Sequence, residues 1–201
     1  MANSLPLCLF PSAHWLAMAH KVAVINSNEI YLKQTYRNRY DILGVNGRLS
    51  LTVPVEGQKG LKTPFKDIRI AGTSWRKQHV STLRSSYGRA AYFEHYFEGL
   101  ETCLVKPHTF LLDLNLFALE WLNSCGLQFQ VSVIEEPWEY EEGDRTYLWE
   151  PSQTWPELAC YPQVFSDRHP FMSGLSAIDI VMNKGPRTSE YLKQMANTPF
   201  V

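Results

Sequence analysis

Apolar and polar positions change their spacing several times along the chain, and each spacing predicts a different element. Residues 5–10 (LPLCLF) form an apolar run of strand length, broken by Pro11-Ser12. Residues 13–20 then read as a helix, with Trp15, Leu16 and Ala19 on one face. Residues 22–26 (VAVIN) are continuously apolar, which suits a strand buried on both faces at the centre of a sheet. Strand, helix, strand in so short a span predicts an N-terminal βαβ unit. Residues 30–40 fit either a strand or a loop, because β-branched and aromatic residues are mixed there with polar ones. Residues 40–43 and 48–55 flank Gly44-Val45-Asn46-Gly47 and predict a β-hairpin, with Asn46-Gly47 supplying two positive-φ positions. Pro54 ends the second strand or marks it as an edge. Residues 56–64 (EGQKGLKTP) form a loop without the Gly-Lys-Ser/Thr ending of a phosphate-binding Walker loop. Residues 65–71 are a further short strand candidate.

From Ser74 the period becomes helical. Thr73 or Ser74 serves as N-cap, Trp75, His79, Val80, Leu83 and Tyr87 share a face, and Gly88 stops the helix. A second helix covers residues 90–105, with Phe93, Phe97, Leu100 and Leu104 inward. Pro107 opens a third, with Phe110, Leu111, Leu114, Phe117, Ala118, Trp121 and Cys125 inward and Gly126 after its end. Residues 127–134 alternate as a strand. Residues 137–156 are acidic, aromatic and proline-punctuated and predict a long loop or flap. Gly174-Leu175-Ser176 leads into a helix over 177–183, and residues 188–195 close the chain as another. The expected fold is α/β: a mixed β-sheet with an N-terminal βαβ unit and a β-hairpin, packed by the helices in the middle of the chain. A length of 201 residues suits one domain over 1–201.

Charge changes this picture little. With 19 basic and 20 acidic residues, no global field draws the chain to nucleic acid. The N-terminal apolar run is interrupted by Pro11 and His14, and no later stretch reaches membrane length without charge, so membrane insertion is not expected. The four cysteines, Cys8, Cys103, Cys125 and Cys160, form no Cys-x-x-Cys pair and show no zinc spacing. Cys103 and Cys125 fall on apolar helical faces, so a reduced, cytoplasmic protein with buried thiols is expected.

Three constellations carry candidate chemistry. The densest is Gln34, Tyr36, Arg37, Asn38 and Arg39. On a strand, Arg37 and Arg39 point to the same face, and guanidinium forks match phosphate or carboxylate. The bland alternative is ion pairing with Asp41 and Glu29. Histidines come second. His79, on the face of Trp75 and Leu83, and His169, in the polar-aromatic segment that holds Gln163, are candidate acid/base groups. His14 and Pro11 fall near the carboxyl ends of the βαβ strands, where α/β proteins bind ligands. Nucleophiles come third. There is no Gly-x-Ser-x-Gly elbow, and Cys8 and Cys160 lack a histidine framework. Neither a His-x-x-x-His pair nor a carboxylate cluster suggests a metal, and the sequence names no cofactor.

Several motifs agree in order over nearly the whole chain: Lys33-Gln34-Thr35-Tyr36-Arg37-Asn38-Arg39, Asn46-Gly47, Leu51-Thr52-Val53-Pro54-Val55, Trp75-Arg76-Lys77-Gln78-His79 and Leu175-Ser176-Ala177-Ile178-Asp179. Together with Pro11, Tyr92-Phe93, residues 161–165 and Gly185-Pro186 they resemble the WbqC-like family. The resemblance implies a cytoplasmic protein of surface-polysaccharide (O-antigen) biosynthesis. It also implies a transfer of glycine or another acyl group to an amino sugar or sugar nucleotide. In that reading Gln34, Arg37 and Arg39 bind an anionic small molecule, Asn38 orients it, and His79 or His169 is the base. The family usually carries acidic residues near where this chain has Asn26-Ser27-Asn28, which removes carboxylates that could hold a metal there. The opening strand, turn and His14-bearing helix also resemble nucleotidyltransferase-like folds, which implies an ATP-dependent ligase as an alternative. Two further alternatives are a non-catalytic binding protein for an anionic ligand and a homo-oligomer in which the arginines pair across an interface.

Overall fold

A computed structural model describes residues 3–19, 23–57, 62–137 and 158–196. The chain opens with β1 (Asn3–Ser4), α1 (Ala13–Met18) and β2 (Ala23–Asn26). A hairpin follows, β3 (Arg39–Gly44) and β4 (Gly47–Thr52). Three long helices come next: α2 (Ser74–Tyr87), α3 (Phe93–Val105) and α4 (Leu111–Ser124). The order ends with β5 (Val131–Ile134), α5 (Ala177–Lys184) and α6 (Thr188–Ala196). The fold is α/β, as the residue pattern predicts.

The strands make two ladders. β1, β2 and β5 form a parallel sheet in the order β1-β2-β5, and β3 and β4 form the antiparallel hairpin. β2 is central, as its unbroken apolar run requires. It pairs Ala23 with Asn3 on one side and Val131 on the other. The first strand, however, lies at Asn3–Ser4 and not at residues 5–10. Leu5 N–H still bonds Val24 O at 3.1 Å, but Leu9 N–H turns to Tyr36 O at 2.9 Å. The apolar run marks core burial there, not ladder pairing.

The hairpin pairs Gly44 with Gly47. Of the two residues expected at positive φ, only Gly47 has it, at +103°. One glycine therefore absorbs the reversal, as in turns completed by a single left-handed residue. Residues 33–38 are turns and bends and not a strand, and residues 65–71 hold a 3₁₀ turn (Phe65–Asp67) and isolated bridges. The second and third helices start three and four residues later than their first signals, at Phe93 and Leu111. The last strand is confined to Val131–Ile134, with Gln128 at φ +51° just before it. All of the predicted flap but its first residue, Pro137, lies outside the described residues.

The helices pack in sequence, α2 on α3 and α3 on α4. Phe93, Phe97, Leu100 and Leu104 are buried at one interface side, and Leu111, Leu114, Ala118 and Trp121 at the other. Gly99 makes the close approach possible, because a Cβ there would sit 2.9 Å from Trp121 Nε1. The same core includes Trp15, Tyr40, Tyr87 and Phe10, so it runs continuously from α1 past the hairpin to the helices. α5 packs on β3 and α1, which brings the late chain against Pro11 and Asp41.

Candidate functional site

A small cleft, partly open to solvent, lies where the hairpin, the start of α1 and the start of α5 meet. Its walls are Leu9, Phe10, Pro11, Ser12, Tyr36, Tyr40, Asp41, Gly174 and Ser176. Backbone bonds hold these segments together. Ser176 N–H donates to Asp41 O and Ala177 N–H to Pro11 O, each at 2.8 Å. Ser12 and Ser176 each cap a helix: Ser12 Oγ accepts from Trp15 N–H at 3.4 Å and Ser176 Oγ from Ile178 N–H at 3.2 Å. Phe10 is held at φ +44°, a strained value for a side-chain-bearing residue. Its ring is pinned edge-on against Tyr40 at 4.9 Å and Trp121 at 5.9 Å.

Asp41 is the buried charge of this cleft, 2% exposed. Tyr36 Oη–H donates to its Oδ2 at 2.8 Å, Arg48 at 3.0 Å, and Ser50 Oγ–H donates to Oδ1 at 2.5 Å. Burial first, then the Asp41 charge and hydrogen bond, push the Tyr36 phenol well above its ordinary range, so it stays a donor. Arg48 also donates to Ser173 O at 2.6 Å and Gly174 O at 3.4 Å, which ties the late loop to the hairpin.

The sequence-derived candidates are placed as follows. Pro11 and Tyr36 line the cleft. Arg37 is 1% exposed and ion-paired with Glu29, itself 4% exposed. It lies in a turn, so it does not share a strand face with Arg39, the first residue of β3. Asn38 is buried and donates to Val53 O at 2.9 Å, so its amide serves the backbone. Gln34 is exposed with φ +64°. His14 is fully buried in α1. His79 is 2% exposed, with Nδ1 3.0 Å from Tyr40 Oη. Burial pushes its imidazole down to about 4, against a smaller opposing effect from a hydrogen bond to the Thr52 backbone. His79 is therefore neutral and enclosed in the core.

His169 rests on the hairpin tip, its Nε2 2.9 Å from Val45 O. Gln163 donates to Asp179 Oδ2 at 2.9 Å and to Met172 O at 3.0 Å, and accepts from Met172 N–H at 2.9 Å. Tyr161 Oη–H reaches the same Asp179 oxygen at 2.8 Å. Gln163 thus shapes the loop that carries Gly174. Cys8 is buried and its thiol is pushed up to about 12 by burial, so it is no thiolate at neutral pH; Cys160 is exposed. Among the described residues no three His, Cys, Asp or Glu side chains group closely enough to hold a metal ion.

Asp41, Ser176 and Arg48, with Phe10, Ser12, Tyr40 and Gly174, are site residues absent from the sequence-derived candidates. Asp41 carries a usable signal. It is a carboxylate inside the apolar run Tyr40-Asp41-Ile42-Leu43, and a charge in a buried strand must find partners.

Fold and cleft together define an α/β protein with a small, mostly apolar cleft whose wall includes the buried acidic residue Asp41. The model of the WbqC-like protein family matches residues 9–149, and the chain belongs to that family. No curated protein and no solved structure matches it. The matched span includes the Leu9–Ser12, Tyr36 and Asp41 walls of the cleft and stops short of Gly174 and Ser176. Among the described residues no helix is long and apolar enough to cross a membrane.

Proposed function

We propose that the Asp41 cleft binds an amine- or hydroxyl-bearing sugar and that the protein transfers an acyl or aminoacyl group to it, in surface-polysaccharide biosynthesis. The family name points to that process. The observation that carries the site is Asp41, a buried acidic residue of the cleft wall, which Tyr36, Ser12 and Ser176 also line. Carboxylate and hydroxyl groups beside the aromatic Phe10 and Tyr40 match the mixed polar and apolar faces of a sugar. In the reaction the acceptor amine attacks the acyl carbon, the new C–N bond forms, and the bond to the leaving group breaks. The amine proton passes to Asp41, the carboxylate that lines the cleft, and the leaving group departs with the electron pair of its bond. His79 has no place in this step, because it is enclosed beside Tyr40.

A second reading has its own observation. Asp41 already accepts three hydrogen bonds, which suits a fixed acceptor better than a proton carrier. In this reading the same cleft holds the sugar without turnover.

One experiment separates them. Wild type, Asp41→Asn and Tyr36→Phe are incubated with a nucleotide-activated amino sugar and acyl- or aminoacyl-coenzyme A. Amide product is followed by mass spectrometry and sugar binding by calorimetry. Transfer predicts product with wild type and a loss of about a hundredfold or more in Asp41→Asn. Tyr36→Phe weakens binding by roughly three- to tenfold, the value of one neutral hydrogen bond. Binding without product supports the second reading. Undiminished product in a folded Asp41→Asn, or undiminished binding in Tyr36→Phe, overturns the site.

A further inference from the structure

Neither reading uses the front of α2, where cations gather on aromatic rings. The Arg76 guanidinium lies 5.4 Å from the centre of the Trp75 ring. On the segment between α3 and α4, Lys106 Nζ sits 4.0 Å over the Phe117 ring, and the His108 ring is 5.4 Å from the same ring. Arg69 forms an isolated bridge with Phe110 and holds its guanidinium 5.3 Å over that ring. Ile70 N–H to Thr109 O at 2.9 Å and Leu111 N–H to Ile68 O at 2.8 Å fasten the two segments side by side.

Trp75 Nε1, Arg76 Nε and His108 Nε2 are enclosed and have no hydrogen-bond partner among the described residues. Buried polar atoms are normally paired, so three orphans in neighbouring residues need an explanation. Among the described residues neither Arg76 nor Lys106 has a carboxylate within ion-pair distance. Arg69 has only the half-exposed Glu56 at 3.6 Å. Burial and then the charges of Lys106 and Arg76 hold the His108 imidazole low, against the opposing charge of Asp113, so both cations act on His108. Guanidinium and indole offer only N–H donors, and ammonium likewise. Their common complement is an oxyanion with several acceptors, and guanidinium suits a phosphoryl group in particular.

We propose that Arg76, Lys106 and His108, with Trp75 beneath and Arg69 alongside, form a binding site for a phosphoryl oxyanion. The site shares no residue with the Asp41 cleft and does not depend on the transfer reading. Phosphoryl oxygens accept from Arg76 and from the Lys106 ammonium, while His108 donates through whichever ring nitrogen carries the proton. A free phosphate and the diphosphate of a nucleotide present the same oxygens.

Calorimetry with inorganic phosphate, pyrophosphate and uridine diphosphate, at ionic strength matched with sodium chloride, tests this. Imidazole resonances of His108 are followed in parallel. Saturable binding with movement of the His108 signals is expected. Arg76→Gln and Lys106→Ala should each weaken it by about tenfold or more, the value of a charge-assisted hydrogen bond. Lys193→Ala, which removes an equal charge on α6, and Tyr36→Phe in the cleft should leave it unchanged. Tighter binding of uridine diphosphate than of pyrophosphate would name a nucleotide as the source, and equal binding a free phosphate. Lys106 is exposed, so its variant reports even if Arg76→Gln does not fold. No saturable binding of any probe, or wild-type affinity in Lys106→Ala, overturns the proposal.

Discussion

Arg37 and Glu29 face each other at 1% and 4% exposure. Removing one partner of such a pair strands the other charge away from water. Arg37→Ala should therefore destabilise the fold by about 3–5 kcal/mol, seen in urea unfolding, and not act on ligand binding alone. A loss below about 1 kcal/mol would show that the pair is not buried in solution. His79 leads to a pH prediction. Its folded value is near 4, below the ordinary 6.5. The unfolded chain then binds the extra proton first, so its contribution is complete above pH 6.5 and is lost as pH falls toward 4. The span amounts to about 3 kcal/mol. Unfolding followed from pH 7.5 to 4.5 should show wild type losing more stability than His79→Gln; equal slopes would refute an enclosed neutral imidazole. Residue types made Arg37 and His79 attractive as site groups. The Arg37–Glu29 pairing was legible as the bland alternative, but its burial and the enclosure of His79 beside Tyr40 arise only through the fold.

At the scale of elements, Arg48 links the hairpin to the late loop through Asp41, Ser173 and Gly174. His169 reaches from that loop to Val45 at the hairpin tip. In Arg48→Ala, amide exchange should quicken across Ser173 and Gly174 while the β1-β2-β5 sheet keeps its protection. Unchanged exchange at Ser173 and Gly174 would mean the loop is held without Arg48. The long helices were legible because Phe93, Phe97, Leu100 and Leu104 repeat with the helical period, and that face is buried. Short elements were harder to place. Residues 5–10 are apolar because the core needs them, while the ladder itself uses only Asn3 and Ser4. Ser176 and Gly174 became site residues only because α5 docks on Pro11, a contact between distant parts of the chain.

On the scale of the whole molecule, one core runs from α1 through the hairpin to α4 and α5. Asn115 shows how closely its parts depend on one another. Deep in α4, its amide donates to Leu7 O at 3.4 Å and Arg37 O at 2.8 Å. A helix side chain thus satisfies carbonyls on the irregular segments that run into the cleft. The α/β class was readable from the alternation of strand and helix signals. The pairing of β2 with β5 in a sheet separate from the hairpin was not, because those two strands lie far apart in sequence.

That separation has a consequence for the order in which the protein is made. β2 meets β1 almost at once, but its other neighbour, β5, is translated more than a hundred residues later. The last wall of the cleft emerges later still, with Gly174 and Ser176. A nascent chain halted before residue 174 would carry Tyr36 and Asp41 with only the Leu9–Ser12 wall beside them. The cleft is thus completed late, and a ribosome-bound fragment would hold its carboxylate before Ser176, whose amide ties the start of α5 to the Asp41 backbone, has been made.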